Sequence, residues 1–181
     1  MNNEFSSLMN QICGALLEGE IWHGKAGNEC RKIALRGFGR WHDSEARCDM
    51  ETRLCLEKLL RDKLGYAPTP DVSGAVRSAS MALSGVGELP AHLQSWQNRE
   101  KAFAATLTKA MRMAAEIDID IYKELIALTG EVQGEAMRVR LCGARLELAQ
   151  WSSHDIGIVS MILHKHFEEH PDDKYINVNL G

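Results

Sequence analysis

In Ala127–Gln150, ALTGEVQGEAMRVRLCGARLELAQ, the apolar residues Leu128, Val132, Val139, Cys142 and Leu146 recur at spacings of three, four and seven. That is the stripe of an α-helix facing a core. Glu131 and Glu135 fall on or beside the stripe, where leucine or alanine would pack better. A carboxylate on a buried face is costly unless it is paired, protonated or bound to a cation. The stretch therefore predicts a helical core and raises the question of whether other helices carry acids on their inner faces.

Working outward, the rest of the chain reads as helix. Glu4 to about His23 forms a first helix, with Phe5, Leu8, Ile12 and Leu16 on one face and Glu20 and His23 extending it. Its end is open between two places. One is a turn at Gly24–Asn28, and the other a turn at Ile33–Gly37, because one glycine weakens a helix by only about 1 kcal/mol. Leu35–Leu64 is a second long helix, with Phe38, Trp41, Cys48, Cys55, Leu56 and Leu59 on one side and Glu45 near its middle. It stops at Gly65, before the proline pair of YAPTP.

Tyr66–Leu89 is too long for a hairpin between neighbouring helices, and it has room for one short helical piece around Gly74–Leu83. A crossover of that length lets the next helix start beside the beginning of the second. Pro90 suits a first helical turn, followed by Leu93, Trp96, Glu100, Phe103, Leu107 and Ala114 at helical spacing. Asp118-Ile-Asp120 marks a turn or bend before the next helix, which runs to about Gln150. Ser152 and Asp155 form a capping box for a last helix, with Ile156, Val159, Leu163 and Phe167 on its apolar face. The expectation is an all-α chain, a four-helix bundle with a long crossover and a short fifth helix. Residues 1–170 form one domain and 171–181 a polar tail.

Composition narrows the function. The chain has 181 residues and a net charge of −4, with scattered Lys and Arg, so no nucleic-acid surface is expected. No apolar run approaches the roughly 18 residues of a membrane span, and MNNEFSSLM lacks the pattern of a signal peptide. Five cysteines without close pairing fit reduced thiols in a cytoplasmic protein. Cys48, Cys55 and Cys142 share apolar stripes and read as small hydrophobes. The four tryptophans, Trp22, Trp41, Trp96 and Trp151, read as packing anchors.

Each long helix then supplies an acid near its stripe: Glu20, Glu45, Glu100, and the pair Glu131 and Glu135. Carboxylates converging from four helices repel one another when ionised and call for a cation. Oxygen and imidazole donors in a bundle core suit Fe or Mn. Glu20 and His23 make an E-x-x-H pair, side by side on one helical turn. The candidate metal ligands are thus Glu20, His23, Glu45, Glu100, Glu131 and Glu135.

This arrangement resembles the ferritin-like superfamily of carboxylate-bridged di-iron proteins over roughly residues 5–170. The separation of Glu100 and Glu135 is like that of the family's ligands on its third and fourth helices. The run GFGRWHDSEARCDMETRLCLEKLL (Gly37–Leu60) looks like a ferritin second helix in its aromatics, acids and LEKLL ending. The resemblance implies iron binding, ferroxidase or related O2 chemistry, and a homo-oligomer. The family carries E-x-x-H on its second helix. Here the forward motif lies on the first helix, and the second has the reverse order, His42-x-x-Glu45.

Two other readings stand beside this one. A non-enzymatic bundle for assembly or partner binding would pair its inner acids with arginines such as Arg138, Arg140 and Arg145. An all-α nucleotide pyrophosphatase would use Glu131, Glu135 and Asp155 on Mg2+, but such sites need paired acid motifs on two helices, and only one pair is visible. His166 and His170, one turn apart, read as favouring a helix C-terminus, and His154 as part of a cap.

Overall fold

The computed structural model describes residues 3–78 and 83–170. Among these the chain is all-helical. The helices are α1 (Asn3–Lys32), α2 (Arg36–Leu64), α3 (Val72–Ser78), α4 (Leu89–Ile117), α5 (Ile119–Leu148) and α6 (Ser153–Glu169), with one 3-10 turn at Val86–Glu88 before α4. The tail expected at 171–181 lies outside the described residues. So does part of the helical piece expected at Gly74–Leu83. None of the helices is long and apolar enough to cross a membrane.

The first turn falls at Ile33–Leu35, so α1 runs straight through Gly24 and Gly27. The reversal contains no glycine. Leu35 N–H donates to the Cys30 carbonyl and Ala34 N–H to that of Arg31, with Ala34 at φ 64°. That is a Schellman ending with alanine in the place usually held by glycine. The end of α5 repeats it, with Trp151 N–H on the Leu146 carbonyl, Gln150 N–H on that of Glu147, and Gln150 at φ 52°. Gly65, at φ 62°, closes α2 in the ordinary way.

The glycines near the first turn serve contact instead. A Cβ on Gly27 would stand 3.1 Å from the Gly39 carbonyl oxygen, and one on Gly39 3.1 Å from the Gly27 carbonyl oxygen. The α1 and α2 backbones therefore touch at this pair. Gly37 does the same for α6: a side chain there would overlap the Ser160 carbonyl, while its N–H donates to Ser160 Oγ at 3.1 Å.

Ion pairs fix the directions of the four long helices. Arg31 meets Asp43 and Arg53 meets Glu20, so α1 and α2 are antiparallel. Arg99 meets Glu18 and Lys109 meets Glu4, which sets α4 antiparallel to α1. Arg138 with Glu45 and Lys63 with Asp120 set α5 antiparallel to α2. The helices α2 and α4 therefore run the same way, and the crossover makes this possible. It leaves the end of α2 with Tyr66 Oη donating to Asn10 Oδ1 at 2.7 Å and reaches Lys25, whose Nζ donates to the Val76 carbonyl at 3.2 Å. From Asn10 to Lys25 is a climb of about 22 Å along α1 at 1.5 Å per residue.

The start of α5 is capped by Asp118, which accepts from the N–H groups of Asp120 and Ile121. Ser152 accepts from Asp155 N–H to open α6, which is the first half of the expected capping box. Asp155 returns to the Ser152 hydroxyl, and the Ser152 N–H donates to the Ala149 carbonyl instead. On α2 the large buried apolar side chains are Phe38, Trp41, Leu56 and Leu60. Leu59 is only partly buried and Cys55 is exposed, which corrects the stripe drawn from spacing. Cys13, Cys30 and Cys142 are buried, and burial pushes each thiol up to about 12. They are inert hydrophobes at neutral pH.

The apolar core comes in two pieces. One, toward α6, contains Trp22, Phe38, Trp41, Leu93, Trp96, Val139, Cys142 and Leu146. The other, toward the free end, contains Leu16, Leu56, Phe103, Leu107, Leu128 and Val132. On each long helix the two clusters part at one place: between Leu16 and Trp22 on α1, Trp41 and Leu56 on α2, Trp96 and Phe103 on α4, and Val132 and Val139 on α5, with His23 just past the first of these. The polar residues in those gaps form a layer across the middle of the molecule.

Candidate metal centre

Stripe positions place Glu100 and Glu135 in this layer, each standing where the helical period calls for an apolar residue. Both are buried, at 5% and 8% exposure. From α1, His23 enters the same layer, one residue from Trp22 and 1% exposed. One donor atom each from His23, Glu100 and Glu135 lie within 4.8 Å of one another. Among the described residues this is the one group of three or more such side chains that could hold an ion.

Hydrogen bonds orient it. Trp96 Nε1 donates to Glu135 Oε1 at 2.5 Å, and His23 Nε2 lies 3.6 Å from the same oxygen. Trp41 Nε1 donates to Glu45 Oε1 at 2.9 Å. Two of the tryptophans read as packing anchors thus also hold acids in place. Arg138 Nη2 stands 3.6 Å from Glu45 Oε1, and Arg99 Nε stands 3.6 Å from Glu100 Oε1. Arg99 also donates to the Ala15 carbonyl at 3.0 Å and covers the face of Trp22 at 5.7 Å.

The remaining candidates stand apart from the group of three. Glu20 does not face it, because its carboxylate takes Arg53 Nη2 at 3.1 Å. Only the histidine of the E-x-x-H pair enters the cluster. Glu131 is half-buried beside Glu135 and lines a narrow cleft between α2 and α5, together with Glu45, Asp49 and Arg138. The cleft holds about 30 Å³, the order of one water molecule. Glu45 lies within electrostatic reach of Glu100 and Glu135.

Three participants were not assigned from sequence. Asp49 packs its carboxylate against Gly19, where any Cβ would collide with it. His42, noted only for its spacing to Glu45, is fully buried, and His92 is 5% exposed. His23 Nδ1 lies 2.9 Å from His42 Nδ1, and His42 Nε2 lies 2.9 Å from His92 Nε2. Position on the buried stripe of α4 was the available signal for His92, one residue before Leu93. Asp49 had none, since its place depends on the small residue opposite.

Burial and like charge dominate the electrostatics. Burial first, then Glu45, pushes Glu100 up to about 7 against the pull of Arg99. Glu135 is raised well above the usual range by burial and then by Glu100, Glu45 and Asp49. Asp49 is raised well above its ordinary value by burial and then Glu100, and Glu45 is raised by burial despite Arg138. Burial holds His23 and His42 well below the ordinary imidazole value and His92 at about 4, so the three rings are neutral. Four acids, Glu45, Asp49, Glu100 and Glu135, thus face two guanidiniums, Arg99 and Arg138. Two protons or one divalent cation would close that gap.

Elsewhere, Asp155 is engaged in the α6 cap, which leaves Glu131 and Glu135 without the third acid of the pyrophosphatase reading. His154 is exposed on the first turn of α6. His166 and His170 lie side by side at its other end, ring centroids 5.4 Å apart and planes tilted by 47°. No protein-family model matches the chain, and no curated protein matches it.

Proposed function

We propose that the chain is a ferritin-like metal-binding protein that holds iron, or manganese, in the middle of its helical core for Fe(II) oxidation or related O2 chemistry. The observation that carries this is the buried group of His23, Glu100 and Glu135, two acids from different helices and an imidazole, with no guanidinium on Glu135 among the described residues. One imidazole and two carboxylates are donors suited to Fe or Mn. The order of the helices also supports the reading: two antiparallel pairs joined by a crossover that leaves α2 and α4 parallel.

In this site His23 Nε2 and one oxygen each of Glu100 and Glu135 would hold the ion. Trp96 fixes the Glu135 carboxyl through Oε1, leaving Oε2 for coordination. The two apolar clusters above and below keep bulk water out, and the cleft beside Glu131 gives an ion a way in. Bound Fe(II) would supply an electron to O2.

Elemental analysis of purified protein and Fe(II)-dependent O2 uptake test the proposal. Wild type carries Fe or Mn. His23→Ala, Glu100→Ala and Glu135→Ala lose it by more than the roughly 10–100-fold that a change outside the ligand shell costs. Glu20→Ala and Glu131→Ala retain it. Wild type without bound metal and without oxygen uptake rejects the proposal.

The second reading, a helical bundle for assembly or partner binding, is favoured by the arginines set against Glu20, Glu45 and Glu100. It predicts that Glu100→Ala and Glu135→Ala change stability or association and leave metal content unchanged. Self-association belongs to both readings. The surface proposed for it is the outer face of α5, where Ile126, Met137, Leu141 and Leu148 are exposed along one side. Antiparallel pairing of two such helices about Met137 and Leu141 would set Leu148 over Gly130, where a Cβ meets only open space.

A further inference from the structure

Three imidazoles stand in a line behind the carboxylates. Its links are Glu135 Oε1 to His23 Nε2 at 3.6 Å, His23 Nδ1 to His42 Nδ1 at 2.9 Å, and His42 Nε2 to His92 Nε2 at 2.9 Å. Indoles clamp the rings. Trp96 stacks on His42 with centroids 4.3 Å apart, and Trp22 stacks on His92 at 5.1 Å. Both indoles meet His23 edge to face at 4.9 Å. A half-turn of any ring keeps its plane against the indoles but puts a carbon where a nitrogen stood, so it would break an N···N hydrogen bond. The freedom that remains is the position of the protons along the line.

A neutral imidazole offers one N–H and one lone pair, and each N···N bond consumes one of each. Only two arrangements satisfy both bonds. In the outward one, His23 Nδ1–H donates to His42 Nδ1 and His42 Nε2–H donates to His92 Nε2. His23 Nε2 then presents a lone pair to the carboxylates, and His92 keeps its proton on Nδ1. In the inward one, His92 Nε2–H donates to His42 Nε2 and His42 Nδ1–H donates to His23 Nδ1. His23 Nε2–H then points at Glu135. No ring gains or loses a net proton between the two.

A cation on His23 Nε2 needs the lone pair and so accepts only the outward arrangement. We infer that His42 is a positioning residue that holds His23 in its ligating tautomer, and that the line reports occupancy of the centre to His92. An ion at the carboxylates makes His92 Nδ1 a donor. Without an ion the inward arrangement is open as well, and in it His92 Nδ1 is an acceptor. The inference rests on the metal reading above, and its test separates the two.

The experiment uses the full chain, labelled with 15N, and Zn2+ as a diamagnetic probe. Long-range 15N–1H correlation spectra read the tautomer of each histidine directly. With Zn2+ bound, His42 carries its proton on Nε2 and His92 on Nδ1. In parallel, His42→Leu weakens Zn2+ binding roughly 10–100-fold, whereas His42→Gln, whose amide can both accept and donate, keeps most of the affinity. Wild type that binds Zn2+ with the His42 proton on Nδ1 overturns the relay and leaves the centre standing. A folded His42→Leu protein that binds as tightly as wild type does the same. Wild type that fails to bind Zn2+ overturns the centre and the relay with it.

Discussion

Replacing Glu100 by glutamine separates an uncompensated acid from an ordinary buried ion pair. A carboxyl held at about 7 instead of 4.5 favours its neutral form by about 3 kcal/mol, at about 1.4 kcal/mol per pKa unit. Between those values the folded protein binds more protons at this site than the unfolded chain does. Stability from this group therefore falls as pH rises from about 4.5 to 7, and the loss is complete above 7. Glutamine is close to the shape of the protonated acid and does not titrate.

In metal-free protein, Glu100→Gln should be neutral at pH 4.5 and stabilising by about 3 kcal/mol at pH 8. For a chain of this length that is a rise in Tm of roughly 6–12 °C. The histidines change stability in the opposite sense, since depressed bases lose it as pH falls from 6.5, but they are common to both proteins and cancel in the comparison. Urea titrations of the two proteins across pH 4.5–8, after chelator treatment, measure the difference. Adding Fe2+ or Mn2+ should then stabilise wild type and leave Glu100→Gln nearly unmoved. A Glu100→Gln protein that is less stable than wild type at pH 8, or shifted equally at every pH, overturns this expectation. Glu100 would then be an ionised partner of Arg99.

Two further outcomes follow from the packing. Gly37→Ala sets a methyl group into the Ser160 backbone, which cannot swing aside as a side chain can, so it should cost about 1–3 kcal/mol and weaken the α2–α6 contact. Chemical denaturation measures the first and hydrogen exchange in α6 the second. Leu141→Glu puts a charge on the proposed self-association face and should shift sedimentation toward the monomer with metal content unchanged. A wild type that sediments as a monomer at all concentrations removes that surface from consideration.

The helices themselves were legible because helical periodicity is local. Leu93, Trp96, Glu100, Phe103 and Leu107 reveal a face without knowledge of any other helix, and Ser152 with Asp155 marks a start within one turn. The same periodicity identified Glu100 and Glu135 as acids in apolar places. It could not determine which acids share a level, because that depends on where the chain reverses and how four helices slide against one another. Glycine is a poor guide to the reversal here. Gly27 and Gly39 let two backbones touch, while the turn is made at Ala34, whose left-handed backbone costs about 1–2 kcal/mol and is held by the packing on either side.

From that register follow the exclusion of Glu20 by Arg53, the entry of Asp49 against Gly19, and the meeting of His23, His42 and His92. None of these contacts has a local signature. Each depends on residues tens of positions apart in sequence arriving at one height, and only the summed packing along the full length of the helices fixes that height.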